Sequence, residues 1–382
     1  MDFGLTEDQR AFQRTARDFA RAILAPQAGR WDEDKHFPAE ELREACQLGF
    51  GGIYVPEEFG GTGLSRLDAA LIFEELAYAD PSTTAFLTIH NMVAYMIARF
   101  GNDEQRARWL ADIIAGDKFV SYALTEPGSG SDAAALKTRA VAEGNAHYKV
   151  NGSKAFISGG GRSDLYVTMM RTGDDTARGI SCVVVEKGTA GLSFGKPENK
   201  MGWNSQPTTL VNFQDCVVPV ANRLGPEGEG FKYAMMGLDG GRINIAACSL
   251  GGAQACLDAA LAYAKERRAF GKSLTDFQAL QFKLADMATE LEAARLMVHR
   301  AAVALDNGEP DATMRCAMAK RYATDICFHI CDEALQLHGG YGYIKDYQIE
   351  RFVRDLRVHR ILEGTNEIMR VIIARKLLEA AA

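Results

Sequence analysis

Glu363 is the acid best placed to do chemistry. It lies in Ile361-Leu362-Glu363-Gly364-Thr365-Asn366, where a helical stretch gives way to the turn that opens the last helix. A carboxylate with apolar neighbours and a glycine beside it loses solvation, which raises its pKa toward that of a useful general base. A helix cap would have the same placement, and the spacing alone leaves both readings open. A second stretch, Tyr122-Ala123-Leu124-Thr125-Glu126-Pro127-Gly128-Ser129-Gly130-Ser131, ends a strand in hydroxyls and glycines. Unhindered N–H groups and short Oγ donors suit phosphate and ring heteroatoms, although a plain loop has a similar composition. Gln336-Leu337-His338-Gly339-Gly340 brings bare backbone to a helix end, as a simple C-cap also would.

Other chemistries fail on context. Gly128–Ala133 fits G-x-G-x-x-A, but Pro127 precedes it and a short link into more strands follows, not the long helix of a dinucleotide unit. Gly271-Lys272-Ser273 resembles the end of a P-loop, yet Glu266 stands where its first glycine belongs. Neither G-x-S-x-G nor H-E-x-x-H occurs. The 7 histidines and 8 cysteines show no H-x-x-x-H or C-x-x-C pair, so no metal site is expected. Cys327 and Cys331 share a helix face and read as buried reduced thiols.

The elements that must position these residues fall into three blocks. Residues 1–118 read as helices. Thr6 with Gln9 reads as a capping box; Ser65 with Asp68 opens a segment whose Leu67, Leu71 and Leu76 fall near one face; Met92, Val93, Met96, Ile97 and Phe100 mark a helix closed by Gly101. From about residue 119 to 226 the texture is β: Tyr148–Val150, Leu165–Met170, Ile180–Val185 and Thr209–Phe213 are short, β-branched or aromatic, and separated by turns. Residues 227–382 return to helices. Leu280, Leu284, Met287, Leu291, Ala294, Val298, Ala301 and Leu305 step by threes and fours, the seam of a bundle or coiled coil, and a further helix spans roughly 311–337.

The sum is an α+β multi-domain chain of helical domain, β-barrel-like domain and C-terminal four-helix bundle. Its 382 residues suit two or three domains of about 150 each. With 43 basic against 50 acidic residues the net charge is −7, which argues against nucleic-acid binding as the main activity. No run approaches the roughly 18 consecutive apolar residues of a membrane span. Arg10, Arg14, Arg17 and Arg21 recur as in a transit peptide, but Glu7, Asp8 and Asp18 interleave with them, so an ordinary first helix is expected. The predicted compartment is the cytoplasm, or the mitochondrial matrix if a leader has been removed.

Taken together and in order, these pieces resemble the acyl-CoA dehydrogenases over essentially the whole chain. The likeness rests on Tyr122–Ser131 (YALTEPGSGS), Phe156-Ile157-Ser158, Arg267–Gly271 (RRAFG), Gln336–Gly340 (QLHGG) and Ile361–Glu367 (ILEGTNE). Lys200–Pro207 (KMGWNSQP), Leu238–Ile245 (LDGGRINI) and His338–Tyr343 (HGGYGY) resemble the isobutyryl-CoA branch in particular. The resemblance implies FAD, with Tyr122, Leu124, Thr125 and Ser131 along the flavin and Phe156, Ile157 and Ser158 against its ring. Arg267, Gln278, Gln336, His338, Gly339 and Gly340 would serve a neighbouring subunit's FAD, Phe277 would also contact FAD, and Thr365 and Glu367 would touch the pyrophosphate end. Ser131, Asp239, Gly240, Gly241, Arg242, Gly364 and Arg375 match acyl-CoA positions.

Phe156 stands where many relatives carry tryptophan, and an aromatic face is kept. The isovaleryl branch supplies its base immediately before the arginine matching Arg242; here that residue is Gly241, which sharpens the assignment to Glu363. The implied reaction is α,β-dehydrogenation of isobutyryl-CoA to methacrylyl-CoA in valine breakdown. The implied partners are an electron-transfer flavoprotein and further copies in a homotetramer. Alternatives are a short-chain or 2-methylbutyryl-CoA dehydrogenase, an oxidase, or a catalytically silent flavoprotein of assembly or nucleic-acid association. Glu363, Arg242 and the acidic net charge weigh against the last.

Overall fold

The structure is a computed structural model and describes residues 4–380; the ends of the first and last predicted domains, residues 1–3 and 381–382, lie outside it. The N-terminal helices are α1 (Glu7–Phe19), α2 (Ala25–Asp34), α3 (Ala39–Ala45), α4 (Arg66–Ala79), α5 (Pro81–Phe100) and α6 (Asp103–Ile114). Their starts are set by the expected chemistry. Thr6 and Gln9 close a reciprocal box on α1, and Ser65 and Asp68 do so on α4, pairing N–H groups that a first turn leaves free. Asp80 stops α4 and caps α5 through the N–H groups of Ser82 and Thr83, with Pro81 preset for the first turn. Arg17 pairs with Glu75, so α1 is an ordinary helix packed on α4.

The middle block is one eight-stranded sheet. Its strands are β1 (Val120–Ala123), β2 (Arg139–Glu143), β3 (His147–Ser158), β4 (Leu165–Arg171), β5 (Ile180–Glu186), β6 (Leu192–Phe194), β7 (Thr208–Pro219) and β8 (Arg223–Leu224). The hydrogen-bonded path runs β6-β7-β3-β2-β4-β5-β8, with β1 parallel to β4. The short segments expected at Tyr148–Val150 and Thr209–Phe213 belong to strands of 12 residues each. Both run on because the β3–β7 pair absorbs its irregular residues as register shifts, between Val150 and Gly152 and between Lys154 and Ile157. One sheet face packs on Met96, Trp109 and Ile113 of α5 and α6. The other encloses Tyr148, Tyr166 and Phe213.

The C-terminal block holds α7 (Gly230–Glu266), the β9–β10 hairpin (Arg268–Ala269, Lys272–Ser273), α8 (Gln278–Asp306), α9 (Ala312–His338), α10 (Ile349–Arg357) and α11 (Asn366–Ala380). On α8 the predicted stripe is buried from Met287 through Ala301 and partly buried at Leu280, Leu284 and Leu305. It packs against α4, α7 and α9 of the same chain, while α11 lies on α9. The first domain thus contributes α4 to the bundle, and one core runs from Phe19 and Phe73 to Leu250, Leu291 and Ile330. By length and composition α7 could cross a membrane, but 72% of its most apolar window is buried inside the protein. It is the central core helix.

Candidate active site

Gly237, Gly240, Gly241 and Asn244 lie on one face of α7, at the spacing of a helical stripe. Bare backbone there lets side chains from other elements lean in. A Cβ on Gly241 would stand 2.2 Å from Glu363 Oε2, one on Gly240 2.5 Å from Arg66 Nη1, and one on Gly237 3.1 Å from Met96 Sδ. The glycine face therefore gathers the carboxyl of the last turn, a guanidinium from α4 and a thioether from α5.

Glu363 has φ of 53° and Gly364 of 90°, two left-handed residues in succession. For a glutamate that conformation costs about 1 kcal/mol or more and must be held by its surroundings. Lys320 holds it: the buried ammonium donates to the Gly364 carbonyl at 2.8 Å and to Asn366 Oδ1 at 3.0 Å. Burial raises the Glu363 carboxyl to about 7, against the lowering pull of Lys320 and Arg242. The residue is partly exposed, yet Oε2 is shut from solvent and has no hydrogen bond, and the Glu363 backbone N–H donates to nothing among the described residues. Arg242 donates to Asp239 Oδ1 at 2.6 Å, and Asp239 Oδ2 accepts from Thr313 at 2.7 Å. Burial keeps the Tyr122 hydroxyl, within the field of Glu363 and Arg242, protonated far above its usual range.

Five buried polar atoms of this region have no partner: Arg66 Nη1, Tyr122 Oη, Arg242 Nε, Asn244 Oδ1 and Glu363 Oε2. Each unmade hydrogen bond costs about 1–3 kcal/mol. Their grouping around one glycine face marks a site shaped for a ligand with both acceptors and transferable protons.

The loop after β1 forms a second wall. Ala155 N–H donates to the Thr125 carbonyl at 2.8 Å, tying that loop to β3, and Ser121 Oγ donates to the Ser158 carbonyl at 2.5 Å, tying β1 itself to the end of β3. Lys154, fully buried, donates to the Leu124 carbonyl at 3.0 Å and to Glu126 Oε1 at 2.8 Å. Glu126 in turn accepts the N–H groups of Lys137 and Thr138. In the second β3 irregularity Phe156 sits at φ 58° with its ring 69% exposed, while Ile157 is buried. An aromatic residue exposed at the cost of backbone strain, on a strand tied to the loop that carries the open Gly128 and Gly130 and the exposed Ser131, fits a flat ring joined to a chain of acceptors.

Arg267, His338, Gly339 and Gly340 line a separate cleft of about 410 Å³ with Tyr263 and Tyr341, and it shares no residue with the Glu363 site. His338 stacks on Tyr263 at 4.4 Å, and Gly339 adopts φ 60°, ψ −137°, which only glycine accepts readily. Phe277 lies against Phe270, a residue 95% exposed at the hairpin tip; Gln278, next to Phe277, and Gln336, two residues before His338, are both exposed. Thr365 Oγ1 accepts from Ile368 N–H at 3.3 Å, and Glu367 is exposed in the first turn of α11. The structure brings Tyr122, Asp239, Gly240, Gly241, Arg242, Glu363 and Gly364 together, but leaves Arg375 exposed on α11 without a contact to them.

Lys320, Arg66, Tyr54 and Asn244 were not anticipated. Lys320 carried a signal, since it falls on the apolar stripe of α9 with Cys316, Ala323 and Cys327. No group of acidic, histidine or cysteine side chains suited to a metal occurs among the described residues.

Family models of the acyl-CoA dehydrogenase N-terminal, middle and C-terminal domains match residues 6–117, 121–216 and 228–378. The mitochondrial isobutyryl-CoA dehydrogenase of Bos taurus is 58% identical over 98% of this chain and 90% of its own length. That of Dictyostelium discoideum is also 58% identical with the same coverage. The solved butyryl-CoA dehydrogenase of Megasphaera elsdenii superposes with a TM-score of 0.96 at 40% identity, covering 99% of this chain and 100% of that one. With three matching domains in order and relatives of this identity along the whole length, the chain belongs to the acyl-CoA dehydrogenase family.

Proposed function

We propose that this acyl-CoA dehydrogenase uses FAD to oxidise isobutyryl-CoA to methacrylyl-CoA, with Glu363 as the base. The observation that carries the reading is the Glu363 carboxyl itself: near neutral in pKa, unpaired, and opposed by the bare face of Gly241. A base titrating close to neutral pH combines proton affinity with a usable deprotonated fraction. The α hydrogen beside a thioester is weakly acidic, so the carbonyl oxygen needs donors as charge develops. The free Glu363 N–H is one such donor, held in place by the Lys320 contact to the next carbonyl. A preorganised donor of this kind contributes about 2.7–4 kcal/mol.

FAD, when bound, would supply the acceptor for the β hydrogen, which would leave as hydride. The chain's task is then to fix the substrate carbons against Glu363 and keep water out, which the partly buried Tyr122, the buried Arg242 and the glycine face suit. Tyr122, Leu124, Thr125, Ser131 and Phe156–Ser158 would hold the flavin half. Thr365, Glu367 and the Arg267–His338 cleft with Phe277, Gln278, Gln336, Gly339 and Gly340 would complete FAD across subunits of a homotetramer. Ser131, Asp239, Arg242, Gly364 and Arg375 would serve the acyl-CoA. Gly241 and Glu363 face each other, which explains how a base at either position reaches one α carbon in different branches of the family.

The isobutyryl assignment, and with it valine breakdown and an electron-transfer flavoprotein as acceptor, is supported by identity to the two relatives named isobutyryl-CoA dehydrogenase. The test is kcat/KM with a dye acceptor across isobutyryl-, 2-methylbutyryl-, n-butyryl-, isovaleryl- and octanoyl-CoA. Isobutyryl-CoA should lead, with side activity on its neighbours because a misfitted methylene discriminates by only about 1–3 kcal/mol. A lead for isovaleryl- or octanoyl-CoA would overturn the substrate assignment.

A further inference from the structure

Arg66 has no role in the mechanism above, and its surroundings are unusual. It is the first residue of α4, only 9% exposed. Its guanidinium carbon lies 3.6 Å from the centroid of the Tyr54 ring and 4.7 Å from that of Tyr95. No carboxylate pairs with it among the described residues, and its Nη1, shut from solvent, has no hydrogen-bond partner there. The nearby acid is used elsewhere: Asp306 accepts the backbone N–H groups of Arg66 and Leu67. Asn244 donates to Tyr54 Oη at 3.2 Å, which leaves its own Oδ1 free beside the same group.

An unpaired buried cation is costly, and two aromatic faces offset only part of that cost. The remainder must come from water or from whatever the pocket holds. The position of the pocket follows from α7. Gly240 abuts the guanidinium and Gly241 the Glu363 carboxyl, so the two groups flank one bare helix face at adjacent residues. A chain whose α carbon lies at Glu363 and which follows that face has only a short run before it meets Arg66.

We propose that Arg66, backed by Tyr54, Tyr95 and Asn244, ends the acyl pocket with a fixed positive charge and thereby sets the limit on acyl-chain length; this rests on the acyl-CoA reading above. A short acyl group leaves the water on the guanidinium in place. A longer alkyl tail strips that water from an unpaired charge and returns no hydrogen bond. Arg66 is a specificity-determining residue, and its effect falls on binding of the tail.

The test uses purified holoenzyme and the n-butyryl-, n-hexanoyl- and octanoyl-CoA series, read as kcat/KM and as binding by perturbation of the flavin absorbance. In Arg66→Met the octanoyl-to-butyryl ratio should rise about tenfold or more, carried by KM and by the binding titration. Arg66→Lys, which keeps the charge, should hold the ratio within threefold. If Arg66→Met does not fold, Arg66→Gln, polar but uncharged, carries the same expectation. An unchanged ratio in the uncharged variant, or a rise as large in Arg66→Lys, overturns the proposal. A wild-type protein that turns over neither these thioesters nor isobutyryl-CoA would overturn the acyl-CoA reading itself, which is a distinguishable result.

Discussion

Replacing Lys320 by methionine separates the scaffolding of the Glu363 turn from its electrostatics. The ammonium is pushed down to about 8 by burial, so it is still charged at neutral pH. It is the first of the two charges that hold the Glu363 carboxyl down against burial. Lys320 grips the carbonyl of the very next residue, so its charge lies within about 10 Å of the carboxyl, the reach of one residue and a side chain. At an effective dielectric constant of about 20, a unit charge at that distance contributes about 1.7 kcal/mol, a little over one pH unit.

Glu363 works as the carboxylate, so its folded pKa of about 7 sets the acid limb of kcat/KM against pH. Loss of Lys320 raises that pKa, and the limb moves up by about one pH unit. At pH 7 the rate falls about five- to tenfold beyond any loss of positioning, and most of it returns by pH 9. Lys320→Arg should keep the limb where it is. Dye-reduction assays from pH 5.5 to about 9.5, with flavin content checked by absorbance, measure this. A limb that stays put or moves down in Lys320→Met would refute the electrostatic reasoning and leave Lys320 a scaffold only.

Gly241→Ala should separate activity from stability. Alanine favours the helix by about 1 kcal/mol over glycine, yet its Cβ would stand 2.2 Å from Glu363 Oε2, so thermal unfolding should hold while kcat/KM falls about a hundredfold or more; unchanged turnover would show that the carboxyl does not work against that face. Lys154→Met leaves Glu126 buried without its cation, so equilibrium unfolding should show a loss of about 3–5 kcal/mol together with weaker flavin retention; a loss below about 1 kcal/mol would place the pair outside the structural core.

What was legible in the sequence was local. Thr6–Gln9 and Ser65–Asp68 announced helix starts because capping chemistry acts within four residues, and the stripe on α8 announced a buried face because its period repeats over many turns. Glu363 stands out by its apolar neighbours and adjacent glycine, but a helix cap has the same surroundings, so its assignment as the base rests on the family resemblance. Arg66, Tyr54 and Asn244 could not, since each looks ordinary until α4, the loop before it and α7 meet around one glycine face. Lys320 stands between these cases: a lysine on an apolar helical stripe is visible in the sequence, but its partners at Gly364 and Asn366 are not. The sequence shows β3 and β7 only as shorter strands because a register shift looks like a turn when the partner strand is unseen.

The central claim is that Glu363 removes the α proton. Its most direct test is the rate of dye reduction with isobutyryl-CoA in Glu363→Gln beside wild type, each verified to carry FAD. The amide keeps the size of the side chain and cannot take the proton. The account predicts retained flavin and turnover lower by about 10⁴, the upper end for loss of a general base. Turnover within threefold of wild type, with the flavin bound, would contradict it and place the base elsewhere.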